Sequence, residues 1–97
     1  MFPLEVENMA HMLIRHRVQD FGKWKPAYDA HRQARSAAGL KDLQLWHNVD
    51  DKNEIVLLFE ASDIAKAKAF AASPELKERM TTAGVIGPPT IVFLSGD

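Results

Sequence analysis

The chain has no cysteine. That absence excludes disulfide bonds, thiolate nucleophiles and cysteine-ligated zinc, and it fits a reducing, cytoplasmic setting. A dominant charge is missing too: twelve basic residues against thirteen acidic ones leave a formal net charge of -1. Nucleic-acid binders concentrate a basic excess on one face, so nucleic acid is not an expected partner. No apolar run approaches the ~18 residues that span a bilayer, and no membrane partner is expected either. The leading "MFPLEVENMAHM" carries Glu5 and Glu7 but no basic segment, unlike a secretory leader. There is no glycine-rich phosphate loop, no HExxH and no local signature of a Ser-His-Asp triad. Repeats, linkers and low-complexity segments are likewise missing.

What remains is 97 residues, 46% apolar and 26% charged, the make-up of one globular domain with its own core. Residues 1–11 read as an N-terminal extension and residues 12–97 as a single domain. From Met12 to Val18 apolar residues alternate with arginines, which is a strand: Met12, Ile14, His16 and Val18 face one way, Leu13, Arg15 and Arg17 the other. Asp20 offers a helix N-cap and Gly39 a stop, with Pro26 predicting an irregular or tight first turn over 21–25. Residues 42–49 alternate again, with Leu43, Leu45 and His47 opposite Gln44, Trp46 and Asn48. A turn at 50–53 leads to the apolar strand 54–60. Ser62 or Asp63 opens a second helix, Ser73-Pro74 restarts it, and Gly84 ends it before a last strand near 90–94.

The order β-α-β-β-α-β predicts an α+β, ferredoxin-like fold: a four-stranded antiparallel sheet with two helices on one face. Both sides of strand 54–60 are apolar, so the bare sheet face needs a cover. A second copy of the chain supplies one, making a homodimer the expected partner.

The first helix carries the chemistry. At ~100° per residue, Trp24, Tyr28, His31 and Arg35 share one stripe, with His31 near its centre and Arg35 and Tyr28 at its edges. Ala27, Ala34 and Ala38 widen the stripe, and small side chains facing a sheet leave room. His16 and His47 also lie on the apolar sides of their strands. Buried imidazoles need hydrogen-bond partners, and a shared ligand pocket accommodates three of them economically. Each residue alone also has an ordinary packing role. Glu75, Lys77, Glu78 and Arg79 read as an exposed helix face, and Asp50 and Asp51 as turn residues.

The segments "RHRVQDFGKWK" (15–25), "YDAHRQAR" (28–35), "DDKNEIVLLFE" (50–60) and "MTTAGVIGPP" (80–89) resemble the small dimeric α+β-barrel proteins. That superfamily includes the antibiotic-biosynthesis monooxygenases. Within it the chain looks like a bacterial subgroup of similar length labelled cyclase or uncharacterised. The resemblance implies sheets paired into a barrel across a dimer, with a ligand between sheet and helices in each subunit. Members of this fold include cofactor-independent oxygenases of aromatic polyketides, cyclases and haem-degrading enzymes, so function has to come from the site. The Asn, Trp and His of the haem-degrading members have no counterpart at the matching elements, and no cofactor is expected.

The expectation is a monooxygenase or cyclase acting on an aromatic or polyketide-like molecule. His31 is the general base and Arg35 or His16 stabilises the resulting anion. Trp24, Tyr28, His47 and Trp46 form the walls. Two alternatives stand beside it: a metal bound by His16, His31 and His47, and a binding module without catalysis.

Overall fold

Alternating strand residues and capped helices assemble as the sequence pattern predicts, with differences that matter at the site. The structure is a computed structural model and describes residues 10–96. The first nine residues of the expected extension lie outside the described residues. The elements are β1 (Ala10–Val18), α1 (Phe21–Ala30), α2 (Arg32–Ala37), β2 (Leu40–Asn48), β3 (Asp51–Ala61), α3 (Ile64–Ala71), α4 (Pro74–Thr82) and β4 (Val85–Ser95). β1 therefore begins two residues before the expected boundary at Met12, with Ala10 buried and paired to Ala61 and Ser95.

The sheet runs β2-β3-β1-β4, antiparallel throughout, which is the ferredoxin-like order. Because side chains alternate across a strand, Met12, Ile14, His16 and Val18 share the inner face with Ile55, Leu57, Phe59 and Ala61. All eight are buried, Ala10 of β1 and Leu40 of β2 extend that face, and Trp24 and Ala67 complete the core from the helical layer. The outer face exposes Trp46, Val92 and Leu94 around half-buried Leu13, Val56 and Leu58. Arg15 and Arg17 on this side pair within the chain, to Glu54 and Asp51.

Three of the four helix starts carry a side-chain cap, and α2, which follows His31, has none. Asp20 accepts a hydrogen bond from the Gly22 N–H at 2.8 Å, Asp63 accepts from Ala65 and Lys66, and Ser73 Oγ accepts from Leu76 at 3.1 Å. These caps satisfy amide groups that a helix N-terminus otherwise leaves unpaired. Gly39 connects α2 to β2 at φ +78, and a Cβ there would meet Ser62 Oγ at 2.7 Å. Its carbonyl instead receives the Ser62 N–H at 3.0 Å, joining the two turns at that end of the sheet.

The helices and the last strand differ from expectation in detail. The first turn of α1 is tight but not irregular: the Asp20 carbonyl receives the Trp24 N–H at 2.9 Å and, in the shorter 3₁₀ closure, the Lys23 N–H at 3.1 Å. Pro26 removes one bond, to the Gly22 carbonyl, on an exposed side of the helix. The single helix expected up to Gly39 is two, because His31 takes φ -100 and ψ 19 and breaks it. The final strand also reaches back to Val85. It contains Pro88 and Pro89, which β4 tolerates as an edge strand with a register shift opposite His16.

Candidate functional site

The inner sheet face and the helices enclose a chamber of about 70 Å³. Its floor is Met12, Ile14 and His16 from β1 with Leu57 and Phe59 from β3. Trp24, Tyr28, Ala34 and Arg35 make one wall, Phe70, Leu76, Arg79, Met80 and Ala83 the other, and His31 lies between them. The floor side chains are buried, whereas His31, Ala34, Leu76, Arg79 and Met80 are half-exposed and form the rim. A larger groove of about 590 Å³ runs between α3, α4 and β4, but no histidine, arginine or acidic residue lines it.

His16 is the deepest polar group, 6% exposed, and its Nδ1 has no hydrogen-bond partner. Burial pushes its pKa below the ordinary 6.5, with a weaker opposing effect from its own backbone. A desolvated imidazole resists protonation, so His16 is neutral at pH 7. Trp24 meets it edge-on at 5.5 Å, and Tyr28 stacks on Trp24 at 4.8 Å. The Arg35 guanidinium in turn covers the Tyr28 ring at 3.7 Å. Four side chains thus form one continuous column along the wall. Burial raises the Tyr28 pKa to about 12, so its phenol stays protonated.

The positions expected for His31 and Arg35 are exchanged. Arg35 is 5% exposed and fully engaged: Nε and Nη2 donate to the two Asp42 carboxylate oxygens at 3.1 Å each, and Nη1 donates to the Tyr28 carbonyl at 2.7 Å. With its charge neutralised and each of its three nitrogens donating a hydrogen bond, Arg35 holds the wall together and is not a free stabiliser of a reaction anion. His31 sits at the rim, its Nδ1 in a short contact with Arg79 Nη1. A guanidinium only donates, so His31 Nδ1 is the acceptor and Nε2 carries the proton. Burial first, then Arg79 and Arg35, push the His31 pKa down. With its lone pair engaged, His31 fits the expected role of general base less well than His16 does.

His47 and Trp46 do not reach the chamber. His47 is on the inner side of β2 but exposed, 6.0 Å from the Phe21 ring, with Nδ1 near the Asn48 carbonyl. Trp46 lies opposite Val56 on the outer face, 48% exposed. The three-histidine metal site weighed as an alternative is therefore not assembled. Among the described residues no group of three His, Asp or Glu side chains converges as metal ligands.

Two contributors were missed. Strict alternation puts Asp42 on the outer side with Gln44, but a register shift between them sets Asp42 against Phe59, on the inner face. Arg79, read as exposed decoration, faces the chamber. The signal was present: Leu76, Arg79, Met80 and Ala83 fall at i, i+3, i+4 and i+7, one face of a helix.

Neither a protein-family model nor a curated protein sequence matches the chain. Solved structures do. A candidate antibiotic biosynthesis monooxygenase of Bordetella bronchiseptica superposes with a TM-score of 0.74 at 14% identity, over 92% of this chain and 97% of that one. A conserved protein of Methanosarcina mazei Go1 gives 0.74 at 10% identity, over 97% and 98%. A candidate antibiotic biosynthesis monooxygenase of Caulobacter crescentus CB15 gives 0.69 at 15% identity, over 92% and 90%. The chain shares the α+β fold of these proteins over nearly its whole length.

Proposed function

We propose that the chain is a cofactor-independent monooxygenase acting on a small molecule, with His16 as its general base. The observation that carries this reading is a buried, neutral imidazole with an unpartnered Nδ1 on the floor of an apolar chamber. Such a ring has a lone pair free to take a proton, in surroundings that strengthen its interaction with a polar group. The fold shared with candidate monooxygenases agrees with the assignment.

The chemistry runs on an acidic C–H. His16 takes a proton from a methylene carbon, and the carbanion passes an electron to dioxygen. The radical pair joins as a peroxide, which recovers the proton from the imidazolium. Loss of the second C–H proton cleaves the O–O bond, so one methylene group and one dioxygen become one ketone carbonyl and one water. Dioxygen is small and apolar, which suits the chamber. At about 70 Å³ the space is roughly half the ~150 Å³ that accepts benzene. A short arm of the substrate therefore enters, and any larger, aromatic part stays at the rim. Trp24 and Tyr28 hold the imidazole in place.

The outer sheet face closes against a second copy, the arrangement that best buries Leu13, Trp46, Val56, Leu58, Val92 and Leu94 together.

The reading is tested by oxygen uptake with a panel of acidic-C–H ketones and phenols. On any substrate turned over by the wild type, His16→Gln lowers kcat by about 10²–10⁴ with an unchanged circular-dichroism spectrum. Retention of full turnover by a folded His16→Gln protein defeats the assignment.

A further inference from the structure

The four polar side chains lining the chamber, Tyr28 aside, are two histidines and two arginines, with no carboxylate among them. The arginines differ in one respect. Arg35 is matched by a bidentate carboxylate, Asp42. Arg79 is not: among the described residues no Asp or Glu lies within ion-pair distance of it, and its side-chain partner is the His31 ring. A guanidinium resting on a neutral ring keeps its charge and most of its donors available.

We infer that the substrate is a small monoanion, a short-chain oxo-acid, whose carboxylate docks on Arg79 at the rim while its short arm, carrying the methylene acidified by the oxo group, enters the chamber. The inference rests on the proposed reading of this chamber as a substrate site and adds the class of molecule it takes. Three observations converge on it. The arm must be short, because a space about half that needed for six benzene carbons accepts roughly three. The head must be negative, because a half-buried guanidinium without a counterion gains most from a carboxylate, which it meets with two parallel N–H donors. And the two ends must be joined at the rim, where Arg79 stands beside Leu76 and Met80. His31 is a positioning residue: by accepting one Arg79 N–H it turns the guanidinium toward the opening.

The bland alternative is that Arg79 is simply solvated, with its stem on apolar surface. Binding measurements separate the two. Sodium butyrate and butyramide have the same carbon arm and differ in head charge. Each is titrated into the intact, isotope-labelled protein at matched ionic strength, with NMR resonances of Leu57, Phe59 and Met80 as reporters. Butyrate binds about tenfold more tightly than butyramide, the lower end of what a charge-assisted hydrogen bond contributes. Arg79→Gln brings butyrate down to the level of butyramide, and Arg79→Lys retains part of the preference. Equal binding of the two probes to the wild type overturns the inference, as does an anion preference that survives in Arg79→Gln. In either case, butyramide shifts at the chamber reporters leave the proposed function standing. If neither probe moves those resonances, both the inference and the chamber's role as a substrate site are refuted.

Discussion

Replacing Asp42 by alanine strands Arg35, and the structure sets the size of the effect. The Arg35 side chain is 7% exposed, and Asp42 supplies both carboxylate oxygens to it at 3.1 Å. Removing one partner of a fully buried ion pair costs about 3–5 kcal/mol, most of it from leaving a charge desolvated without a counterion. Asp42 is 31% exposed, so water can follow the missing carboxylate and offset part of that loss. The expected destabilisation is about 2–3 kcal/mol. For a domain of this size each 1 kcal/mol moves Tm by about 4–8 °C, which makes the drop roughly 10–20 °C. Arg32 provides the internal control. It approaches the same carboxylate only at 3.9 Å and is 76% exposed, so Arg32→Ala should stay within about 0.5 kcal/mol of wild type.

The measurement is urea unfolding followed by circular dichroism and by the fluorescence of buried Trp24. Protomer concentration is held fixed, because association would add to stability. A Trp46→Phe background removes the signal of the exposed indole. The double change Arg35→Met with Asp42→Leu should recover much of the loss, since an apolar pair of similar volume often replaces a buried ion pair at little cost. An Asp42→Ala protein within about 0.5 kcal/mol of wild type, with an unchanged m-value, would refute the claim that this wall depends on a buried charge pair.

Two further outcomes are expected. His16 and His31 both titrate below 6.5, so at mildly acidic pH the unfolded chain binds protons that the folded chain refuses. Stability should be level above pH 6.5 and fall as pH drops from there toward the folded pKa values. His16 contributes at most about 1.4 kcal/mol per pH unit, and His16→Gln should flatten the slope. Asp51 and Glu54, held below the usual carboxylate range mainly by hydrogen bonds to Arg17 and to Asn48 and Arg15, act only near or below pH 4.5 and do not confuse that window. A stability profile flat from pH 7 to 5 contradicts the buried neutral state of His16. Separately, Leu58→Lys puts a charge at the middle of the outer face. Sedimentation should then show monomers where the wild type gives dimers, and a wild type that is monomeric at micromolar concentration removes the proposed closure of that face.

The strand and cap chemistry was legible in the residues because it is local. Met12 to Val18, the hairpin through Asp51, and the Ser73-Pro74 start all follow from side-chain alternation and orphan amide groups within a few positions. The site was legible only in part. His16 and Trp24 lie where periodicity puts them. Asp42 escaped because an extra residue at the register shift moves it to the other side of its strand, and nothing in "KDLQLW" announces that shift. His47 keeps its predicted side, but β2 is an edge strand and the His47 ring, 6.0 Å from that of Phe21 at the start of α1, stays exposed, so facing inward there does not mean burial.

The exchange between His31 and Arg35 has a single geometric origin. In an unbroken helix two residues four apart lie within about 40° of each other, so both would have met the same surroundings. Near the centre of the stripe His31 would then compete with Arg35 for space against the sheet. The break at His31 separates them. Beyond it, α2 carries Arg35 down onto Tyr28 and Asp42, while the His31 ring is left facing α4 and receives Arg79. One irregular residue thus assigns the two arginines different work: Arg35 is neutralised and fixes the column that ends on His16, and Arg79 keeps its charge at the opening. The polar residues of "WKPAYDAHRQARSAAG" are compatible with a core helix only because that helix is not continuous.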